Sequence, residues 1–272
     1  MASLKKYIVV VLASILLLPF FFVFYWPENN LQLIGCNVGQ GDAFLLTKGF
    51  NQVLIDGGPD SKVLSCLNEN LPFWDRKIEL IINSHPDKDH LAGLVDVLSF
   101  YKIEQIITNG VEVDRDIFKA FMALVKKKNI PVFKAKKGDK IKFSNLEFDF
   151  YWPEEKVLGA EAYKVKTNEQ SLVFLLKYQG KKALFTGDIS SQEEKVLAKN
   201  DLIPRVDVLK IAHHGSKYST SSEFLEKVNP KIAIISVGEN SWGHPTKEIL
   251  DKLKALGVKV FRTDEDKVKI KF

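Results

Sequence analysis

From residue 31 onward, short apolar runs of period two alternate with longer stretches whose apolar positions recur every three to four residues, which predicts strands and amphipathic helices in turn. Strands are expected over residues 31–36, 43–47 and 52–55, with the turn Gly39-Gln40-Gly41-Asp42 between the first two and Asp56-Gly57-Gly58-Pro59 closing the third. A helix over 61–70, a buried strand over 78–83, a helix over 91–101, a strand over 104–108 and an amphipathic helix over 114–128 follow. A short strand at 132–134 leads into a hairpin of 140–143 and 146–151 around Ser144-Asn145. Residues 152–168 show no period and read as a loop, a length that in a compact domain often accompanies a site. The pattern then restarts, with strands over 171–178 and 182–186, a helix over 190–199, a strand over 206–211 and a helix over 221–228. A strand over 232–236, a helix over 246–256 and strands near 258–262 and 268–272 complete the chain. A meander followed by alternating strands and helices thus occurs twice. That suits an α/β architecture of two sheets packed face to face with helices outside.

Ahead of this pattern, residues 7–26 are apolar apart from Ser14 and Pro19 and follow Lys5 and Lys6, a length that spans a hydrocarbon core as a helix. The stretch ends in Phe24-Tyr25-Trp26-Pro27, interfacial aromatics rather than the small residues of a cleavage site, so an uncleaved anchor is expected. Lysines on the short side place the N-terminus in the cytoplasm and the remainder outside. Residues 1–30 are therefore read as anchor and linker, and residues 31–272 as one principal domain. The whole chain has 272 residues, 46% of them hydrophobic, enough for a substantial core. Two cysteines, Cys36 and Cys66, exclude a disulfide-rich scaffold or a zinc knuckle; buried free thiols are the expectation, although an external location permits a bridge. A net charge of +5 suits a polyanionic partner without selecting one. The basic stretches at 126–128, 134–137 and 181–182 read first as a solvated face.

All five histidines, His85, His90, His213, His214 and His244, fall at expected strand ends or in loops. The densest chemistry is Ser84-His85-Pro86-Asp87-Lys88-Asp89-His90, with two imidazoles and two carboxylates after a buried strand. Such a set can converge on metal ions, whereas a lone Asp at a helix start would only cap it. Three distant pieces share its strand-end setting: Asp56-Gly57-Gly58, Thr186-Gly187-Asp188 and Ala212-His213-His214-Gly215-Ser216.

In this order the pieces resemble the metallo-β-lactamase superfamily, whose early Asp, H-x-H-x-D-H loop, bridging Asp and late His line a cleft between two sheets. Asp87 stands where that pattern has its second His. This variant, with Asn37-Val38-Gly39-Gln40-Gly41-Asp42, His213-His214-Gly215-Ser216 and Trp242-Gly243-His244-Pro245, resembles the hydrolase domain of ComEC-type competence proteins over residues 31 to about 264. That family attaches the domain to a multi-span DNA channel, and this chain has one candidate span.

The resemblance implies a four-layer αββα sandwich behind the N-terminal membrane helix. It implies His85, Asp87, Asp89, His90 and His214 as terminal ligands of two divalent ions, Zn²⁺ or Mn²⁺, with Asp188 bridging them. Asp56 is expected to orient a ligand histidine, and Asn168 and Ser216 to support the site. The superfamily's usual third-motif His has no counterpart; Asn168 and Ser171 lie where it would fall. Asp89, His213 and His244 are the candidate catalytic side chains, the last two as phosphate holders or proton donors. Two cations would activate a water toward phosphorus or a carbonyl carbon. The function so implied is an extracytoplasmic phosphodiesterase or nuclease acting on DNA. Hydrolysis of another phosphodiester or ester, such as a cell-wall polymer or a lactam, and a non-catalytic receptor keeping the fold are the alternatives.

Overall fold

The computed structural model describes residues 27–158, 165–199 and 203–272, with isolated positions at Lys6, Tyr7, Val11 and Ala13. Among the described residues no helix is long and apolar enough to cross a membrane. The anchor expected over residues 7–26 lies, apart from those isolated positions, outside the described residues.

Among the described residues, two mixed sheets of seven strands make up the fold. The first holds β1 (Gln32–Gly35), β2 (Phe44–Lys48), β3 (Asn51–Ile55), β4 (Lys77–Asn83), β5 (Lys102–Thr108) and β6 (Val132–Lys134) in sequence order, and its outer edge is closed beside β1 by β14 (Val268–Lys271). The second sheet places β7 (Lys140–Phe143), β8 (Leu146–Trp152), β9 (Val173–Tyr178), β10 (Lys181–Phe185), β11 (Val208–Lys210), β12 (Ile232–Ile235) and β13 (Lys259–Arg262) side by side. Each sheet begins as an antiparallel meander and continues in parallel, β3 to β6 in one and β10 to β13 in the other. The repeat legible in the hydropathy is this change of direction.

Period-two burial explains the layering. In β2, Phe44 and Leu46 enter the core between the sheets and Leu45 the core beneath the helices; in β3, Val53 and Ile55 do the first and Leu54 the second. In β9, Phe174, Leu176 and Tyr178 face the first sheet while Val173 and Leu175 face outward. Both faces of the central strands are therefore apolar, and helices cover the outer ones. Helices α1 (Lys62–Asn70), α2 (Lys88–Phe100) and α3 (Asp116–Lys127) contribute Leu67, Leu94 and Phe121 to one outer core. After the short α4 (Glu155–Leu158), helices α5 (Ser191–Lys199), α6 (Ser222–Val228) and α7 (Lys247–Ala255) contribute Leu197, Phe224 and Leu253 to the other. The result is an αββα arrangement of four layers.

Three expectations change. The helix expected from residue 91 starts at Lys88, so Asp89 and His90 sit in its first turn rather than in a loop, and Asp87 takes the extended N-cap position. The segment 152–168 carries structure at both ends, in α4 and in a 3-10 turn at Asn168–Gln170. Finally, Cys36 and Cys66 are not free thiols: they form a disulfide with their Cα atoms 5.6 Å apart, joining the end of β1 to α1. Spacing along the chain carried no information on that approach, because it arises from packing α1 against the first sheet.

Candidate metal centre

In both sheets the parallel strands end at one rim, and the connections leaving those ends carry the candidate side chains, the usual place for a site in an open α/β sheet. Asp56 follows β3 with φ 57, Ser84 to His90 follow β4, Asp188 follows β10, and His213 and His214 follow β11 in a 3-10 turn with φ 49 and 55. The glycines near the rim permit close approach. A Cβ on Gly41 would meet the carbonyl oxygen of Asp89 at 2.3 Å, and one on Gly93 that of Gly57 at 2.0 Å. The turn after β1 and the start of α2 can touch only because these side chains are absent.

Each ligand-type histidine has one ring nitrogen committed to the protein. His90 Nδ1 lies 2.9 Å from Asp56 Oδ2, and Asp56 is itself fixed by the Ser84 amide (2.7 Å), the Ser84 hydroxyl (2.7 Å) and Asn83 Nδ2 (3.0 Å). His214 Nδ1 lies 2.9 Å from the carbonyl of Ser236, and His85 Nδ1 3.0 Å from Ser84 Oγ. The Nε2 atoms turn inward. Among the described residues, those of His85 and His90 are buried without a hydrogen-bond partner.

Asp89, His90, Asp188 and His214 bring four ligand atoms together. His90 Nε2 is 3.2 Å from Asp188 Oδ2 and 3.9 Å from Asp89 Oδ2; His214 Nε2 is 3.3 and 3.2 Å from the same two atoms. A tetrahedral cation with bonds near 2.1 Å separates its ligands by about 3.4 Å. The four atoms match that spacing, and the buried nitrogens without partners are what a cation would satisfy, so the residues fit a divalent metal. Beside them, His85 Nε2 stands 3.8 Å from Asp87 Oδ2. The other Asp87 oxygen accepts from Thr167 Oγ1 (2.6 Å) and from the Arg115 guanidinium. This second position therefore has two ligand-type side chains of its own, beside the first. Ser171, near where a third histidine would fall, instead accepts from the Asp188 amide through its hydroxyl oxygen.

Electrostatics follow from burial. Burial and the neighbouring His90 charge push His85 down to about 4, keeping it neutral. For His90 and His214 burial also opposes protonation, but Asp188 and the other surrounding carboxylates outweigh it and raise both well above the usual imidazole range. Asp188 is held well below the usual carboxylate range because His214, His90 and Lys210 overcome its burial.

The sequence reading missed Lys210. Its ammonium is buried between the two sheets' contributions, donating to Gly187 O (2.7 Å), Asp188 Oδ1 (3.2 Å) and Asp42 Oδ2. The detectable signal was a charge inside the apolar run Val208-Leu209-Lys210-Ile211. Asp42 was passed over with its glycines, and Arg115 and Thr167 lay in segments without motif.

The remaining candidates sit at the edge. His213 Nε2 is 3.5 Å from Asn168 Nδ2, and its ring centroid is 5.8 Å from that of His244. His244 Nδ1 is buried without a hydrogen-bond partner among the described residues, and the ring stacks at 6.3 Å on Trp242, which is 68% exposed. Ser216 does not face the cluster through a hydrogen bond; its hydroxyl accepts from the Tyr218 amide within the local turn.

The family model described as the metallo-beta-lactamase superfamily matches residues 36–239. The chain is 27% identical over 269 residues to ComE operon protein 3 of Bacillus subtilis, covering 90% of this chain and 34% of that protein. It is 30% identical over 233 residues to Recombination protein 2 of Haemophilus influenzae, covering 84% of this chain and 26% of the relative. The chain thus spans about a third or less of these relatives' length. Among solved structures, the metallo-beta-lactamase fold protein YhfI of Bacillus subtilis superposes with a TM-score of 0.62 at 14% identity, covering 90% of this chain and all of that one.

Proposed function

The chain belongs to the metallo-β-lactamase superfamily, a family of metal-dependent hydrolases, and on that premise we propose that it hydrolyses phosphodiesters outside the cell, with DNA as the substrate. The observation that carries this reading is the convergence of Asp89, His90, Asp188 and His214 at the ligand spacing of a divalent cation. In our assignment these four hold one ion, Zn²⁺ or Mn²⁺, since imidazole and carboxylate suit both. His85 and Asp87 beside them would hold a second ion. Cations bound there supply Lewis-acid stabilisation of a phosphoryl oxygen and acidify water to a nucleophile at neutral pH.

The chain's own groups do the rest. Asp56, Ser84 and the Ser236 carbonyl orient the imidazoles, and such partners commonly set metal affinity by 10- to 100-fold. Asn168 fixes the His213 ring, and His213 and His244 are placed to hold a phosphate oxygen or to protonate a leaving alkoxide. Trp242 offers a flat exposed face next to His244, suited to a nucleobase. Two further facts support the substrate and location. One relative's name concerns recombination, a process on DNA. The only two cysteines are paired, which is expected of an oxidising compartment rather than the cytosol.

Metal analysis of the purified chain, followed by incubation of single- and double-stranded DNA with Mn²⁺ and with Zn²⁺, tests the proposal. Expected are at least one tightly held ion and metal-dependent cleavage lost in Asp89→Ala. Hydrolysis of a small diester without cleavage of either DNA would overturn the nuclease assignment. Retention of no metal would overturn the hydrolase assignment itself.

A further inference from the structure

The rim opposite the histidine cluster carries chemistry that the proposed reaction does not use. Strands β3, β4 and β5 are parallel, with Val53 opposite Leu80 and Lys77 opposite Lys102, so their starting ends lie level. The connections entering those ends present Phe50, Phe73 and Phe100, which are 44%, 61% and 64% exposed, and Trp74 packs edge-on against Phe73. In the second sheet the corresponding starts of β10, β11 and β12 present exposed Lys181, Arg205 and Lys231. Lys48 Nζ at the end of β2, 5.7 Å from the ring centroid of Tyr178 at the end of β9, shows that the two sheets share this rim.

The chain enters the domain here as well. The Gly49 amide in the β2–β3 turn donates to the carbonyl of Glu28 at 2.8 Å, and the Glu28 carboxylate pairs with Lys271 Nζ at 2.8 Å. The continuous described chain thus begins at this rim, and the apolar run of residues 7–26 immediately precedes it in sequence. Carboxylates along it are engaged by protein partners: Asp75 by Gln52, Asp207 by Lys231 and Glu28 by Lys271.

We propose that this rim seats the domain on a phospholipid bilayer with anionic headgroups, the phenylalanines entering the interface and Lys181 and Arg205 meeting phosphates. The proposal rests on the extracytoplasmic, anchored reading of the chain. It adds a fixed orientation: the metal centre points away from the membrane. The seven residues of β4 separate rim from centre by about 20 Å at the rise of a strand. A strand of polymer above the membrane reaches the centre, whereas headgroups of the same membrane do not.

Hydroxyl-radical footprinting of the full chain, read by mass spectrometry, tests this in vesicles of phosphatidylcholine and phosphatidylglycerol against the same chain in detergent. Oxidation of Phe73, Trp74 and Phe100 is expected to fall at least about threefold relative to Tyr218 and Trp242 at the other end. Replacing Phe73→Ser together with Phe100→Ser should restore Trp74 oxidation while the chain still floats with the vesicles. Unchanged oxidation in a chain that floats overturns the seat and leaves the anchor standing. A chain that does not float overturns both, and neither outcome depends on whether DNA is cleaved.

Discussion

Asp56, Ser84 and the Ser236 carbonyl each take one nitrogen of a histidine, and that fixes which nitrogen is left to face the shared space. The same economy applies to charge. Lys210 places a permanent cation between Asp42 and Asp188, so these two buried carboxylates have a partner before any metal arrives. Removing one member of a buried pair leaves an uncompensated charge and costs about 3–5 kcal/mol. Lys210→Met is expected to lose that much stability in the metal-free protein, measured by urea unfolding; a loss below about 1 kcal/mol would show that the pair contributes little. Lys210 also marks the limit of what the sequence revealed at this scale. Histidines and aspartates at strand ends are legible because catalytic residue types break an apolar pattern where a strand stops. A lysine in the last position of a buried strand breaks the same pattern, but its partners, Asp42 and Asp188, lie far away in sequence and meet it only after the sheets pack.

Among the elements, α5 reaches the metal-centre connection through one side chain. Glu194 Oε1 and Oε2 accept from the amides of Thr220 and Ser221, each at 2.7 Å, and Ser221 caps α6. Burial pushes this carboxyl up to about 7 in spite of those amides. Its folded value exceeds its unfolded one, so the folded state binds more protons between pH 4.5 and 7, and unfolding free energy falls as pH rises through that window. The fall amounts to about 3 kcal/mol. Urea unfolding from pH 5 to 8 should show this slope in the wild type and not in Glu194→Gln; equal slopes would assign it elsewhere. The β1–α1 link is a second element-scale device. Closing a separation of 30 residues, the Cys36–Cys66 bridge is worth about 3–4 kcal/mol on the chain-entropy model. Changing both Cys36→Ser and Cys66→Ser, compared by thermal melting with the oxidised wild type, should lower stability by that order, and an unchanged melt would count against the bridge. Element types were mostly readable from period, whereas boundaries were not. The first turn of α2 begins with Lys88, Asp89 and His90, polar residues that carry no helical period, so the visible pattern starts only at Leu91.

For the molecule as a whole, the first sheet supplies His85, Asp89 and His90 and the second supplies Asp188 and His214, so a bound cation would tie the two halves together. A ligand present at 100 times its dissociation constant stabilises by about 2.7 kcal/mol. A chelator should therefore lower the melting temperature of the wild type and leave that of Asp89→Asn unmoved; a wild-type melt indifferent to chelation would argue against a metal spanning the sheets. The two-sheet plan was legible because the meander-then-alternation pattern occurs twice, but the partner of β1 was not. Strand β14 pairs with β1 from the far end of the chain, Gln32 opposite Lys271 and Gly35 opposite Val268. As the polypeptide is made, β1 emerges well before β14, and its outer edge waits for that strand. The first sheet can close only after β14 has been made, and throughout that interval an open strand edge is available to pair with another nascent chain.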